Sequence, residues 1–187
     1  MSAPRRPVHA VSPARLLDPA DAGTLIGLGG YTHPLFTDPA HLASSPFATR
    51  PWPGQALLLV MGGLAEQTGL YDGWAVALLG FDSVSFAAPA CDGDTVTVEI
   101  EELDVTPGRH YDTGRFAWRA RRADGTLLAD VVARFLLQPG PAPDCAVPAS
   151  AATDSAVTDS AVTDSAVTAS AVTASAVNDH HGSESRP

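Results

Sequence analysis

The chain has no lysine: all 11 of its cationic side chains are arginine. We read that as a bias in codon use before reading it as function. The arginines form no basic stripe and the net charge is -10, so nothing stands ready to neutralise a row of phosphates. Nucleic acid is thereby excluded as a partner. Cysteine is almost missing too. Cys91 and Cys145 make neither a disulfide framework nor a metal-ligand set, so neither a metal nor a cofactor is expected, and a cytoplasmic location is. Long apolar runs are absent as well. The longest, Ala56 to Leu64, is about half of what a membrane helix needs, so no membrane contact is expected. The first residues, MSAPRRPVHAVSPARLL, hold Arg5 and Arg6 but no apolar segment with a cleavage site after it, which is not the pattern of a secretory signal.

What is present divides into two parts. Residues 8–138 have the size and composition of one domain with its own core. Residues 139–187 do not. From Ser155 the chain runs SAVTD, SAVTD, SAVTA, SAVTA, SAV, a five-residue period in small side chains that fits neither a helix face nor a strand. Nothing large is there to bury, so the segment reads as a disordered low-complexity tail. Its six acids (Asp144, Asp154, Asp159, Asp164, Asp179, Glu184) against Arg186 alone carry half of the net charge. His180 and His181 read as solvated. Deleting Ala146 to Pro187 is expected to leave the melting temperature and the oligomeric state unchanged. A loss of several degrees on truncation would show that the tail docks.

Within the domain, Asp38-Pro39 has the form of a helix start, Asp as cap and Pro at the first position, over PAHLASS. Pro53-Gly54 opens a second helix, QALLLVMGGLAEQTGL, apolar on nearly every side and therefore expected to be buried. Gly62-Gly63 in its middle is expected to permit close approach to a sheet. Strands follow. Trp74 to Phe86 reads as one long, bent strand. TVTVEIEEL then alternates Val96, Val98 and Ile100 with Thr97, Glu99 and Glu101. Phe116, Trp118 and Ala120 lie opposite Arg115, Arg119 and Arg121, and Asp124-Gly125 marks a hairpin. The last strand puts Val131, Ala133, Phe135 and Leu137 on one face. A buried helix followed by an antiparallel meander implies an α+β fold, a sheet wrapped around a central helix.

This order of elements resembles the MaoC-like branch of the hotdog fold, the (R)-specific enoyl-CoA hydratases and dehydratases. The residues that carry the resemblance begin with Tyr31-Thr32-His33-Pro34-Leu35-Phe36-Thr37-Asp38-Pro39, set against the family pattern D-x-N-P-x-H-x-D-P. Arg50-Pro51-Trp52-Pro53-Gly54, Gly80 to Pro89 and Gly93-Asp94-Thr95-Val96 follow in the family's order. The likeness spans Thr24 to Leu137 and implies a single hotdog domain acting on an acyl thioester of coenzyme A or acyl carrier protein. It also implies a homodimer, or a heterodimer with another hotdog subunit, because one unit leaves its sheet edge open.

The family's chemistry needs an Asp and a His that move protons across the double bond beside the thioester carbonyl. Here the Asp position is Tyr31, the His position is Phe36, and the Asn position is His33. Phenylalanine has no proton to give, and an ordinary tyrosine is a poor base near neutral pH. His33 is therefore the candidate base and Tyr31 a candidate hydrogen-bond donor to substrate. The resemblance implies that the backbone N–H of Gly54, at the start of the central helix, holds the thioester oxygen. Phe36 and Trp52 are expected to wall the acyl pocket or the core. Glu66 and Gln67 stand beyond the place where hotdog thioesterases carry their acidic residue. Tyr71-Asp72 reads as a turn, Cys91 as unreactive, and His41 and His110 as surface residues. The leading expectation is a divergent hydratase or dehydratase, a lyase. The alternatives are a non-catalytic acyl-binding subunit that partners a catalytic relative, or a hotdog thioesterase or cyclase.

Overall fold

A computed structural model describes residues 8–140. The expected disordered tail, with its repeat, Cys145, His180 and His181, lies outside the described residues save for Pro139 and Gly140. The chain opens with two short strands, β1 (His9–Val11) and β2 (Arg15–Leu16), and a helix, α1 (Pro19–Leu28). Two short helices follow, α2 (Pro34–Thr37) and α3 (Pro39–Ala43), and then the long α4 (Gly54–Glu66). Four long strands complete the domain: β3 (Ala75–Phe86), β4 (Thr95–Thr106), β5 (Asp112–Arg122) and β6 (Leu127–Leu137). The sheet is antiparallel in the order β1-β4-β5-β6-β3, with β2 also against β4. One central helix packed on such a sheet is the hotdog arrangement.

Alternation decides which side of each strand is covered. Val96, Val98 and Ile100 on β4 and Val131, Ala133 and Leu137 on β6 are buried. They meet Ala56, Leu57, Val60, Met61 and Leu64 on the inner face of α4. Removing such side chains from water supplies the main driving force, about 1.5–3 kcal/mol for each large aliphatic group fully buried. The opposite face of the sheet is an ion-pair ladder. Arg115 bonds Asp82 at 2.9 Å and Asp104 at 3.0 Å, Arg134 bonds Asp82 at 3.0 Å, and Arg119 bonds Glu101 at 2.8 Å.

Two expectations about α4 need correction. The helix is not covered all round: Leu59 is 62% exposed, because the sheet of one chain faces only one side of it. Gly62 and Gly63 make no close approach to the sheet either, since a Cβ at either would meet nothing within 4 Å. They lie on the open side, beyond Met61 and Leu64. The bend expected in β3 is present as register shifts against β6, one of them between Leu78 and Gly80. Asp124-Gly125 turns the hairpin between β5 and β6 as expected, with Gly125 at φ 88°.

Tyr71 is a core residue and not merely part of a turn. Its ring stacks on Phe135 at 4.7 Å and meets Phe116 edge-on at 5.4 Å, while its hydroxyl accepts a hydrogen bond from Trp118 Nε1 at 2.8 Å. Burial pushes the hydroxyl above its ordinary value. Tyr71→Phe keeps the ring but leaves the buried indole N–H of Trp118 without that acceptor. The expected cost is about 1–3 kcal/mol, read by chemical denaturation. A change below experimental error would mean that another acceptor takes over.

Candidate functional site

The segment between α1 and α4 is held by its own backbone. Gly29 N donates to Leu25 O, Gly30 turns the chain at φ 65°, and Tyr31 N donates to Ile26 O at 3.0 Å. The Tyr31 ring lies against Gly29, where a Cβ would come within 2.5 Å of Tyr31 Cε2. Two capped turns follow. His33 caps α2, its Nδ1 accepting from Leu35 N at 3.2 Å, and Asp38 caps α3, its Oδ1 accepting from Ala40 N at 2.8 Å. Each cap satisfies a backbone N–H that the helix cannot. A proline at the first position of each turn fits because it has no N–H to satisfy.

This local folding places Tyr31 and Phe36 edge to face, with ring centroids 5.6 Å apart. The Tyr31 hydroxyl donates to Gln55 Oε1 at 3.0 Å, which ties the segment to the first turn of α4. His33 is exposed and stands 6.1 Å, ring to ring, from both Phe36 and His41. Tyr31, His33, Phe36 and Gln55 thus form one cluster. No carboxylate hydrogen-bonds to any of these side chains among the described residues.

Gly54 begins α4 behind Pro53, whose carbonyl takes the N–H of Ala56 and of Leu57. The N–H groups of Gly54 and Gln55 precede these first bonds, as at any helix start. They face a partial positive charge toward whatever lies beyond. A cleft of about 320 Å³ opens there, lined by Trp52, Gly54, Leu57, Phe86 and Pro89. Phe86 lies so near that a Cβ on residue 54 would sit 2.7 Å from Phe86 Cζ. The glycine is what lets the ring approach the helix start. Trp52 contributes to this wall but is itself buried, its Nε1 donating to Asp92 Oδ1 at 2.9 Å. Asp92 also accepts from Arg50 Nε at 3.0 Å. Phe36 lines a separate cleft of about 240 Å³ with Leu35, Leu42, Arg50 and Asp92.

Other candidates lie elsewhere. Glu66 is at the far end of α4, about 18 Å from Gly54 by helical rise, in a cleft with Asp72, Val76 and Phe135. Cys91 is half-buried, and burial pushes its thiol up, away from thiolate character. His41 and His110 are exposed. Among the described residues no three His, Cys, Asp or Glu side chains converge as metal ligands, and no helix is long and apolar enough to cross a membrane. The residue that sequence reasoning passed over is Gln55. A signal existed, since it is the only polar side chain of α4 before Glu66.

No protein-family model matches the chain, and no curated protein matches it. Solved structures do. A MaoC-like dehydratase from Rhodospirillum rubrum is 17% identical, with a TM-score of 0.63, over 72% of this chain and 93% of that one. An (R)-hydratase from A. caviae involved in PHA biosynthesis is 24% identical, with a TM-score of 0.59, over 72% of this chain and 98% of its own. The HadBC (3R-hydroxyacyl-ACP dehydratase) complex from Mycobacterium tuberculosis is 12% identical, with a TM-score of 0.62, over 73% and 99%. At these identities the likeness establishes the fold, a hotdog domain of the kind these proteins have.

Proposed function

We propose that this chain is a MaoC-like hotdog protein that binds an acyl thioester, of coenzyme A or of an acyl carrier protein, without a proton-transfer pair of its own. The observation that carries this reading is the contact between residues 31 and 36. The backbone that would set an Asp against a His is intact, yet it sets a tyrosine against a phenylalanine at 5.6 Å. The hydroxyl of that tyrosine is already committed to Gln55. The means of holding a carbonyl remains, in the Gly54 N–H at the start of α4 and the apolar cleft beside it.

A domain of this kind works as the acyl-binding member of a pair in the cytoplasm, with a catalytic relative supplying acid and base. The open edge of β3 supports pairing. The strand is hydrogen-bonded to β6 on one side only, and Val76, Leu78, Leu79, Val84 and Phe86 are exposed along it. Its one charge, Asp82, is neutralised by Arg115 and Arg134. An edge with no unpaired charge to keep other strands away is one that a partner covers. The similar HadBC structure is itself a complex.

A second reading, a divergent hydratase or dehydratase with His33 as base, is favoured by one observation. Only Nδ1 of His33 is used by the helix cap. One experiment separates the two. Calorimetry with crotonyl-CoA is expected to show binding, while loss of the enoyl absorbance shows hydration far slower than in hydratases with the Asp and His in place. His33→Gln is expected to lower any residual turnover only as far as it lowers folded protein. Loss of most turnover in a folded variant would establish the second reading, and failure to bind any acyl thioester would sink both.

A further inference from the structure

We infer that Gln55 is a substrate-positioning residue, its amide N–H donating to the thioester carbonyl from an orientation fixed by Tyr31. The inference rests on the proposed thioester site. It starts from the side chain's surroundings. Gln55 is exposed on a helix whose other side chains, up to Glu66, are all apolar or glycine. Phe36, against Tyr31, offers no polar group, and neither does Phe86, which lies against Gly54. A lone glutamine at such a place has no folding role that an alanine would not fill, apart from its one bond to Tyr31.

That bond decides what the amide presents. A glutamine side chain has an acceptor oxygen and two N–H donors. Tyr31 donates to the oxygen at 3.0 Å, so the oxygen is turned toward the segment and the NH₂ group away from it. No partner for that NH₂ exists among the described residues. The orientation is stiff, because the Tyr31 ring is pinned by Gly29 on one side and by the edge of Phe36 on the other. The Gln55 amide therefore presents its two N–H donors away from the segment, while its oxygen is engaged by Tyr31. A carbonyl oxygen is the ligand group that such a cluster recognises, and a neutral amide neither takes a proton from the substrate nor gives one near neutral pH. The three residues together turn a proton-transfer site into a holding site.

The test uses the full chain and crotonyl-CoA carrying ¹³C at the thioester carbonyl. Infrared difference spectra are expected to show the bound carbonyl stretch lowered from its value in water-free solvent, as hydrogen bonding weakens the C=O bond. In Gln55→Leu the lowering is expected to shrink and binding to weaken roughly five- to tenfold, the value of one net hydrogen bond. Gln55→Glu discriminates further, since a carboxylate keeps an acceptor for Tyr31 but has no N–H. It is expected to reduce the carbonyl shift as much as Gln55→Leu does while keeping the wild-type melting temperature. Tyr31→Phe is expected to broaden the band, because the amide loses its fixed orientation. A thioether analogue without the carbonyl is expected to bind wild type and Gln55→Leu equally. If wild type binds and shifts the carbonyl but both Gln55 variants do the same, the assignment of Gln55 fails while the thioester site stands. If wild type binds no thioester, both fall together.

Discussion

Hydration of crotonyl-CoA is expected to rise at least about a hundredfold when Tyr31→Asp and Phe36→His are made together, since each proton-transferring group typically contributes 10²–10⁴-fold (order of magnitude). The two positions already touch, with ring centroids 5.6 Å apart, so an Asp and a His placed there would face each other across the space that a water and a double bond require. Neither change removes a core side chain: Tyr31 and Phe36 are both only partly buried. The backbone that carries them is held by bonds the substitutions leave alone, from Tyr31 N to Ile26 O and from Phe36 N to His33 O. Either single change should do much less, because acid and base act on the same substrate in one step. A folded double variant that binds crotonyl-CoA yet hydrates it no faster than the parent would mean that the site lacks more than two side chains.

The second large effect concerns the edge of the sheet. The parent is expected to pair through this edge, by light scattering at twice the 19.3 kDa mass of the chain when alone or as a heavier complex when mixed with a catalytic hotdog relative. Leu78→Lys with Leu79→Lys is expected to convert it to a monomer. Both side chains are about half exposed, 47% and 48%, so charge there costs the folded monomer little. They sit at the register shift between Leu78 and Gly80 on the bare edge, so a partner strand laid there meets both lysines. Flat apolar edges are covered in natural proteins or guarded by charge, and lysine is the commonest guard. A parent that is already monomeric, alone and after mixing with any hotdog relative, would overturn the pairing.

How much of this was legible beforehand differs from element to element. The alternation of Val96, Val98 and Ile100 gave the covered face of β4 directly, because a strand's period of two leaves no other solution once one face is apolar. Asp38-Pro39 gave α3 for a similarly local reason. The same signature at Asp18-Pro19 opens α1, with Asp18 Oδ1 accepting from Ala20 N at 2.7 Å, and is equally local. That residue 36 is a phenylalanine, with no proton to give, and residue 31 a tyrosine was visible as well, since it needs only their identities.

What the sequence by itself determined, then, is whatever depends on neighbours along the chain: strand faces, caps, turns, and which side chains could or could not move a proton. Only the tertiary structure decided the rest. The partner of Tyr31 is 24 residues away at Gln55, and Trp52 is anchored 40 residues away on Asp92. Tyr71 passes for a turn residue until Trp118, 47 positions on, is brought against its hydroxyl. The open side of α4 and the bare edge of β3 are of the same kind. An apolar run announces that a surface will be buried, but how much of it one chain can cover is a matter of how many strands fold back against it. Here the sheet reaches one side of the helix and stops at β3.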